Sequence, residues 1–298
     1  MRWLARALVG LYLLVATAPL LWMATTAFKK KEDAISLEAR FLPASSASTA
    51  DASGADADPD GAGRHAFVPT IDAFERLNEV TVGASASFWE HLGNSGIIGL
   101  GSTLLSVALG TLTAYGFSRF RIRGTKDWLF FILSTRFLPP LAVVIPILLM
   151  YRQLGLTGTH LGLVLLYTAF NLSLSVWLMK GFIDEIPRAY EEAAEIDGYS
   201  RLSAFAHIIV PQAATGMAVT AVFCLISAWN EYGFAMTLNT NGAVTVPAYF
   251  AGLQGNIEGM PWPQVAAGAL VFVAPIVLFT ILVRRHLLRG MTFGTVKQ

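Results

Sequence analysis

The chain has 298 residues, of which 54% are hydrophobic and 14% are charged, and its mean hydropathy is +0.56. Soluble domains carry roughly 25% charged residues, so this composition excludes an ordinary soluble domain. The net charge of +1 gives no general attraction to nucleic acid, and a single cysteine, Cys224, excludes a disulfide framework or a thiolate metal site.

The first segment, residues 7–28, contains no charged residue and is flanked by basic residues. At about 1.5 Å per residue, some twenty residues cross the hydrocarbon core of a bilayer. A cleaved signal peptide is the alternative, but its apolar region usually spans about 7–15 residues. No clean cleavage site of small residues precedes Lys29. We therefore expect residues 1–28 to form a retained first transmembrane helix.

Residues 29–90 form a polar loop before the next apolar segment. Residues 44–63 consist almost wholly of Ala, Ser, Thr, Asp, Gly and Pro. Such a composition buries too little apolar surface to offset the entropy of ordering. We predict a disordered insertion at 44–63 within an extracytoplasmic loop.

Five further spans are predicted, at residues 94–117, 127–151, 161–179, 213–237 and 263–283. Small residues in the second span, among them Gly101, Ser106 and Gly110, favour close helix packing. Prolines interrupt the third span, which proteins tolerate where helices pack together or line a cavity. Arg136 in that span either faces the bundle or extends to the cytoplasmic edge. Residues 91–284 are the expected membrane core, with residues 285–298 as a tail.

Basic residues orient the chain, because cytoplasmic loops carry an excess of Lys and Arg. With a cytoplasmic N-terminus, thirteen of the 21 Lys and Arg residues lie on that side and seven on the other, leaving Arg136 within a span. Lys29, Lys30 and Lys31 are exceptions, because they lie on the extracytoplasmic side in this topology. We predict a multi-pass protein of the cell (inner) membrane with both termini cytoplasmic.

A charged segment at residues 181–211 separates the fourth and fifth predicted spans. Pro187 suits the first turn of a helix that continues to Ile196, and Gly198 is typical of a helix end. Ser200 can cap a second helix that ends before Pro211. Residues Ala193 and Ala194 would present a small surface to a partner. A solvated amphipathic linker is the alternative.

The spacing of this segment resembles the EAA loop of ATP-binding-cassette (ABC) importer permeases. It contains Glu192-Ala193-Ala194, three residues, Gly198, nine residues, and Ile208-Ile209-Val210-Pro211. Val210 replaces the usual Leu. Three other pieces resemble the carbohydrate-uptake branch, the maltose-transporter type of membrane subunit: Leu138-Pro139-Pro140, Ala228-Trp229-Asn230-Glu231 and residues 289–297. We call residues 181–211 the EAA loop.

The resemblance implies an all-α membrane protein with six transmembrane helices, the type I ABC importer permease fold, and a cytoplasmic helix–turn–helix coupling loop. It implies assembly with a second homologous permease subunit, two ATP-binding-cassette ATPase subunits and an extracytoplasmic solute-binding protein. The residues expected to couple to an ATPase are Glu192, Ala193, Ala194, Gly198, Ile208 and Pro211. The tail residues expected to contact the ATPases are Gly294, Thr295, Val296, Lys297 and Gln298.

The chain has no Gly-x-x-x-x-Gly-Lys-Ser/Thr phosphate loop. We therefore expect no enzymatic activity and no bound cofactor, with ATP and magnesium used by the partner subunits. Besides membrane lipid, the expected ligand is a carbohydrate or a polyol. Polar residues inside spans are energetically costly and are often functional. On this ground the candidates for the substrate pathway are Arg136, Asn171, Trp229, Asn230 and Glu231.

An ion-coupled secondary transporter of small polar solutes is the alternative function. Such transporters carry an ion-coupling site near the middle of the membrane and commonly contain internal repeats. This sequence shows neither a carboxylate pair within its spans nor a repeat. Of the two functions, the sequence therefore favours an ABC importer permease.

Overall fold

The computed structural model describes residues 2–36, 42–43, 66–79, 86–253 and 259–292. The predicted insertion at 44–63 and the predicted ATPase-contacting residues 294–298 lie outside these ranges. The chain divides into two compact units. One combines Met1–Glu90 with Tyr249–Pro275, and the other combines His91–Ala248 with Ile276–Gln298.

The described part of the chain is helical except for two short strands and the connecting turns. The elements in chain order are α1 (Arg2–Ala27), α2 (Lys31–Ala34), β1 (Leu42–Pro43), β2 (Ala66–Phe67), α3 (Asp72–Glu75), α4 (Phe88–Arg119), α5 (Thr125–Ser134), α6 (Pro140–Leu154), α7 (His160–Asp184), α8 (Ala189–Ile196), α9 (Arg201–Ala204), α10 (Val210–Gln212), α11 (Ala214–Trp229), α12 (Gly233–Leu238), α13 (Val246–Gly252) and α14 (Trp262–Thr292). Strands β1 and β2 pair in parallel.

Several helices are long and apolar enough to cross a membrane. Among the described residues, four segments meet this criterion alone: Trp3–Ala27, Phe88–Arg119, His160–Asp184 and Trp262–Arg284. Two bent pairs meet it only together: Thr125–Phe137 with Ala142–Leu154, bent by 91°, and Arg201–Gln212 with Ala214–Trp229, bent by 72°. Counting each bent pair as one span gives the six that were predicted.

The unit that contains α1 packs mainly through aromatic rings. Residues 3–22 of α1 are exposed throughout, as expected for a helix that faces lipid. Beyond its end, the rings of Phe28 and Phe74 lie 5.2 Å apart, and the Thr70 amide donates to the Phe28 carbonyl at 2.9 Å. A second cluster joins the rings of Phe88, Tyr249 and Phe250.

The core of the other unit is the packing of α4 and α11 on α7. An added Cβ at Gly110 would lie 2.6 Å from the Cβ of Ser175, and one at Gly101 would lie 3.3 Å from Val164. These glycines therefore allow α4 to approach α7 closely, as small residues do in membrane helix pairs. The predicted packing face of the second span is confirmed.

The predicted interruption of the third span by prolines is confirmed, whereas the predicted end of the fifth span is wrong. The third predicted span breaks at Leu138 and Pro139, whose backbone is extended, and α6 begins afresh at Pro140. A residue before proline avoids the helical region, whereas proline suits a first turn. The fifth span ends at Trp229 rather than at residue 237. The sixth predicted span, 263–283, agrees with the apolar segment Trp262–Arg284, and α14 continues as a helix to Thr292.

Candidate functional site

The EAA loop is a helix, a glycine turn and a second helical segment. Helix α8 ends at Ile196, and Gly198 has a φ of +87°. The amide of Tyr199 donates to the carbonyl of Ala194 at 2.9 Å, which closes the helix end. Ser200 then caps α9, accepting a bond from the Ser203 amide at 3.3 Å. The predicted stop and cap are both confirmed.

A hydrophobic cluster fastens the second half of the loop to α4 and α7. Its buried members are Ala114, Met179, Ile183, Ile186, Phe205, Ile209 and Ala213. The rings of Tyr115 and Phe205 lie 4.6 Å apart across this contact. A π-helical turn at Phe205–Ile209 leads into α10 with Ile209 fully buried. This half of the loop is part of the helix core rather than a free linker.

Three contacts made by two arginines fasten the first half of the loop to the end of α4. Arg119 forms an ion pair with Glu191, and the two side chains are only 8% and 11% exposed. Arg119 also donates to the carbonyl of Ile186 at 2.8 Å, and Arg188 donates to the carbonyl of Ser118 at 2.8 Å. The loop is therefore held by charge as well as by apolar packing. The sequence interpretation missed these contacts.

The coupling residues differ in what they present to solvent. Glu192, Ala193 and Pro211 are exposed, whereas Ile208 is half-buried. Ala194 is buried at 4% exposure. The predicted surface of two adjacent alanines is therefore wrong for Ala194, which packs inside the protein because its face of α8 points inward.

The outer surface of the loop is more apolar than predicted. Ile196 is 86% exposed and Leu202 is 72% exposed, and the rings of Tyr190 and Tyr199 are also accessible. Exposed large apolar side chains that lie close together in the chain are consistent with a protein interaction site. These four side chains are a signal that the motif comparison did not use.

A second feature is a cavity of about 200 Å³ beside α7 and α11. Six side chains give it both polar and aromatic character: Arg136, Tyr167, Phe170, Asn171, Glu231 and Phe234. The rings of Phe170 and Phe234 lie 5.0 Å apart. The cavity thus combines a cation, a carboxylate, an amide and a phenol with an aromatic wall.

Glu231 is fixed by three hydrogen bonds. Its carboxylate accepts from the Tyr167 hydroxyl at 2.5 Å, from the Phe234 amide at 2.8 Å and from the Ala235 amide at 3.1 Å. The two amides belong to the first turn of α12, whose N–H groups have no partner within the helix. Glu231 therefore caps α12 and carries its charge into the cavity wall.

Arg136 and Asn171 occupy different depths of the cavity. Arg136 is exposed, and its guanidinium lies 3.5 Å from the Phe170 carbonyl oxygen. Asn171 is 1% exposed and donates to the Cys224 carbonyl at 3.3 Å. Its Oδ1 has no hydrogen-bond partner among the described residues. The structure brings Arg136, Asn171 and Glu231 together as one site.

The other two pathway candidates lie elsewhere. Trp229 is buried against α4, 3.2 Å from where a Cβ on Gly99 would stand. Asn230 is exposed and donates to the Ile226 carbonyl at 2.9 Å. Tyr167, Phe170 and Phe234 line the cavity in their place. Within the described ranges, no group of three or more His, Cys, Asp or Glu residues could hold a metal ion.

Comparison with known proteins identifies relatives along most of the chain. The family model described as "binding-protein-dependent transport system inner membrane component" matches residues 86–292. The chain is 35% identical over 233 residues to the trehalose transport system permease protein SugB of Mycobacterium tuberculosis, covering 78% of this chain and 84% of that protein. It is 31% identical over 279 residues to the probable ABC transporter permease protein y4oR of Sinorhizobium fredii, covering 94% and 90%.

Two further similarities concern a third relative and a solved structure. The trehalose/maltose transport system permease protein MalG of Thermococcus litoralis is 33% identical over 211 residues, covering 70% of this chain and 76% of that protein. A chain of a bacterial ABC transporter involved in the import of the acidic polysaccharide alginate superimposes with a TM-score of 0.70 at 22% identity, covering 95% of this chain and 94% of that one. The second similarity establishes a shared fold.

Proposed function

Because the chain belongs to the family of binding-protein-dependent transport system inner membrane components, we propose that it is the permease subunit of an ATP-driven importer for a sugar or sugar alcohol. The observation that carries the substrate class is the cavity lined by Arg136, Asn171 and Glu231. Two relatives named for trehalose or for trehalose and maltose transport support the same class.

The cavity chemistry suits a carbohydrate. A sugar presents several hydroxyl groups and an apolar face, and ligand sites combine apolar walls with a few placed polar groups. The charged and amide groups of the cavity would exchange hydrogen bonds with hydroxyls, and the rings of Phe170 and Phe234 would contact the apolar face. A hydroxyl that donates to Asn171 Oδ1 would satisfy a buried acceptor, which is costly to leave without a partner.

Energy enters, in this proposal, through the EAA loop. One of the two ATPase subunits binds its exposed face, and ATP and magnesium stay with the ATPases. The ion pair of Arg119 with Glu191 joins the loop to α4, and the cluster around Ile209 joins it to α7. Movement of the loop would therefore tilt both helices. The helices would open the cavity alternately to the two sides of the membrane.

The remaining partners follow from the same proposal. A second permease subunit completes the translocation pathway, and an extracytoplasmic binding protein delivers the solute. The chain lies in the cell (inner) membrane with both termini in the cytoplasm, so that the EAA loop faces the ATPases. An ion-coupled secondary transporter is not favoured, because family membership already accounts for the loop and its spacing.

Arg136 offers a test of the cavity because it is exposed and can be changed without disturbing the core. We expect Arg136→Gln to raise KM for sugar uptake about tenfold, since hydrogen bonds from charged groups contribute about 1.5–3 kcal/mol. Arg152→Gln is the matched control, because Arg152 is also exposed and does not line the cavity. Equal KM values for the two variants in the assembled transporter would contradict the assignment.

A further inference from the structure

A second cavity, of about 280 Å³, lies within the unit that combines Met1–Glu90 with Tyr249–Pro275. At about 30 Å³ for each water molecule, it has room for a phosphate group and part of a glycerol. Its charged lining residues are Lys29, Lys30, Lys31, Glu32, Asp72 and Arg76. Four cations therefore face two carboxylates, and the cavity is positive overall.

Lys29 is fixed in the wall of this cavity although it carries a charge. Its side chain is 2% exposed. The ammonium lies 4.2 Å from the centre of the Trp22 ring and 5.2 Å from that of Phe67, within the range of cation–π attraction. Burial lowers the pKa of Lys29, and the charge of Asp33 opposes that shift. A nearby anion would stabilise such a desolvated cation further.

Lys30 and Arg76 are available to the same anion. Lys30 and Arg76 are exposed at the cavity rim, and neither forms an ion pair with any residue in the described ranges. Together with Lys29 they present three cations from two segments of the chain. Phosphate groups are typical ligands of such clusters, because their oxygens accept several charge-assisted hydrogen bonds at once.

The position of the cavity indicates the source of the phosphate. Lys29 follows α1, which ends at Ala27 after a span of 25 residues that is exposed along its apolar stretch. At about 1.5 Å per residue this helix crosses the roughly 30 Å hydrocarbon core, so its end lies at the level of the lipid headgroups. In the proposed topology this is the extracytoplasmic end of α1, and a cation attracts an anionic headgroup that lies within about one Debye length of it in either leaflet.

We propose that this cavity binds a phosphate group, carried by an anionic phospholipid of the surrounding membrane. The site explains why three lysines follow α1 against the charge distribution of the other loops. The lipid would tether the end of α1 to the segment around Arg76. The proposal rests on the membrane span and on this cavity alone, and it does not depend on the transported solute.

The test uses the assembled transporter in nanodiscs that contain equal amounts of phosphatidylglycerol and phosphatidylcholine. Lipids retained after delipidation are counted by native mass spectrometry. We expect wild-type protein to retain phosphatidylglycerol selectively. Lys30→Gln combined with Arg76→Gln should weaken retention about 30-fold, since each surface cation contributes about 1 kcal/mol. Arg6→Gln combined with Arg123→Gln removes the same charge away from the cavity and should change retention less than twofold.

A second arm separates lipid phosphate from soluble phosphate. Nanodiscs of phosphatidylcholine alone are titrated with radiolabelled inorganic phosphate. Phosphate binding that the Lys30 and Arg76 variant abolishes, without selective retention of phosphatidylglycerol, would support the phosphate site and assign it to a soluble ligand. Equal retention of both lipids together with no phosphate binding would overturn the proposal, as would equal losses in the two double variants.

Discussion

The ion pair of Arg119 with Glu191 predicts how strongly the EAA loop is held to α4. Glu191→Gln keeps the shape of the side chain and removes its charge. Because the two side chains are only 8% and 11% exposed, the change leaves Arg119 buried without its anion. Breaking a buried pair in this way costs about 3 kcal/mol or more. That cost corresponds to a roughly 100-fold increase in local opening of the loop.

Hydrogen exchange of the assembled transporter measures this opening directly. Amides of α8 should exchange about 100-fold faster in Glu191→Gln, and less solute should be moved for each ATP hydrolysed. Glu195→Gln is the matched control, because it removes the same charge from the same helix. Its pair with Arg201 is 46% and 68% exposed, and exposed pairs contribute about 0.2–1 kcal/mol. Its exchange should therefore rise no more than about fivefold, and indistinguishable exchange profiles of the two variants would show that the buried pair does not hold the loop.

Two glycines give further predictions. At Gly198, where φ is +87° and no atom lies near an added Cβ, only the backbone opposes substitution. Gly198→Val should therefore lower coupled ATPase activity more than Gly198→Asn, since Asn adopts this backbone conformation more readily. Equal losses of ATPase activity in the two variants would indicate a steric cause instead. Gly110→Ala would place its Cβ 2.6 Å from Ser175 Cβ and should destabilise the protein by about 1–3 kcal/mol. Gly96→Ala meets nothing within 4 Å, and a thermal melt should show it at least as stable as wild type.

The fold class was predictable from the sequence because the lengths of the apolar segments indicate transmembrane helices and the spacing of the EAA loop residues indicates the family. The expected all-α, type I ABC importer permease fold is confirmed by the superposition at a TM-score of 0.70. The end of the fifth span was less predictable than the proline break in the third. The residues around 230–237 are mostly apolar, so hydropathy continues the span. Glu231 instead satisfies the first amides of a new helix, α12.

The polar residues of the cavity beside α7 and α11 were predictable, whereas its aromatic residues were not. Arg136, Asn171 and Glu231 stand out because polar side chains are costly within a membrane span. Phe170 and Phe234 do not stand out, because an aromatic residue in a transmembrane span is equally compatible with facing lipid and with lining a cavity. Trp229 shows the opposite error. The two residues that follow it, Asn230 and Glu231, are polar, but its ring packs against α4 at Gly99.

The motif of the EAA loop was predictable from its spacing, whereas the way the loop is held was not. Arg119 and Glu191 lie 72 positions apart, and nothing in either local sequence shows that they pair. The burial of Ala194 likewise depends on which face of α8 packs inward. Local sequence patterns cannot predict these tertiary contacts, because each contact joins segments that are distant in the chain.

Uptake of labelled trehalose into proteoliposomes distinguishes an ATP-driven importer from an ion-coupled transporter. The vesicles contain this chain, its partner permease and the ATPases, with the binding protein outside the extracytoplasmic face. We expect uptake to require both ATP and the binding protein and to continue when ionophores collapse all ion gradients. If trehalose gives no signal, the sugar that the binding protein captures replaces it. Uptake that continues without ATP and stops when the ion gradients collapse would instead identify an ion-coupled transporter.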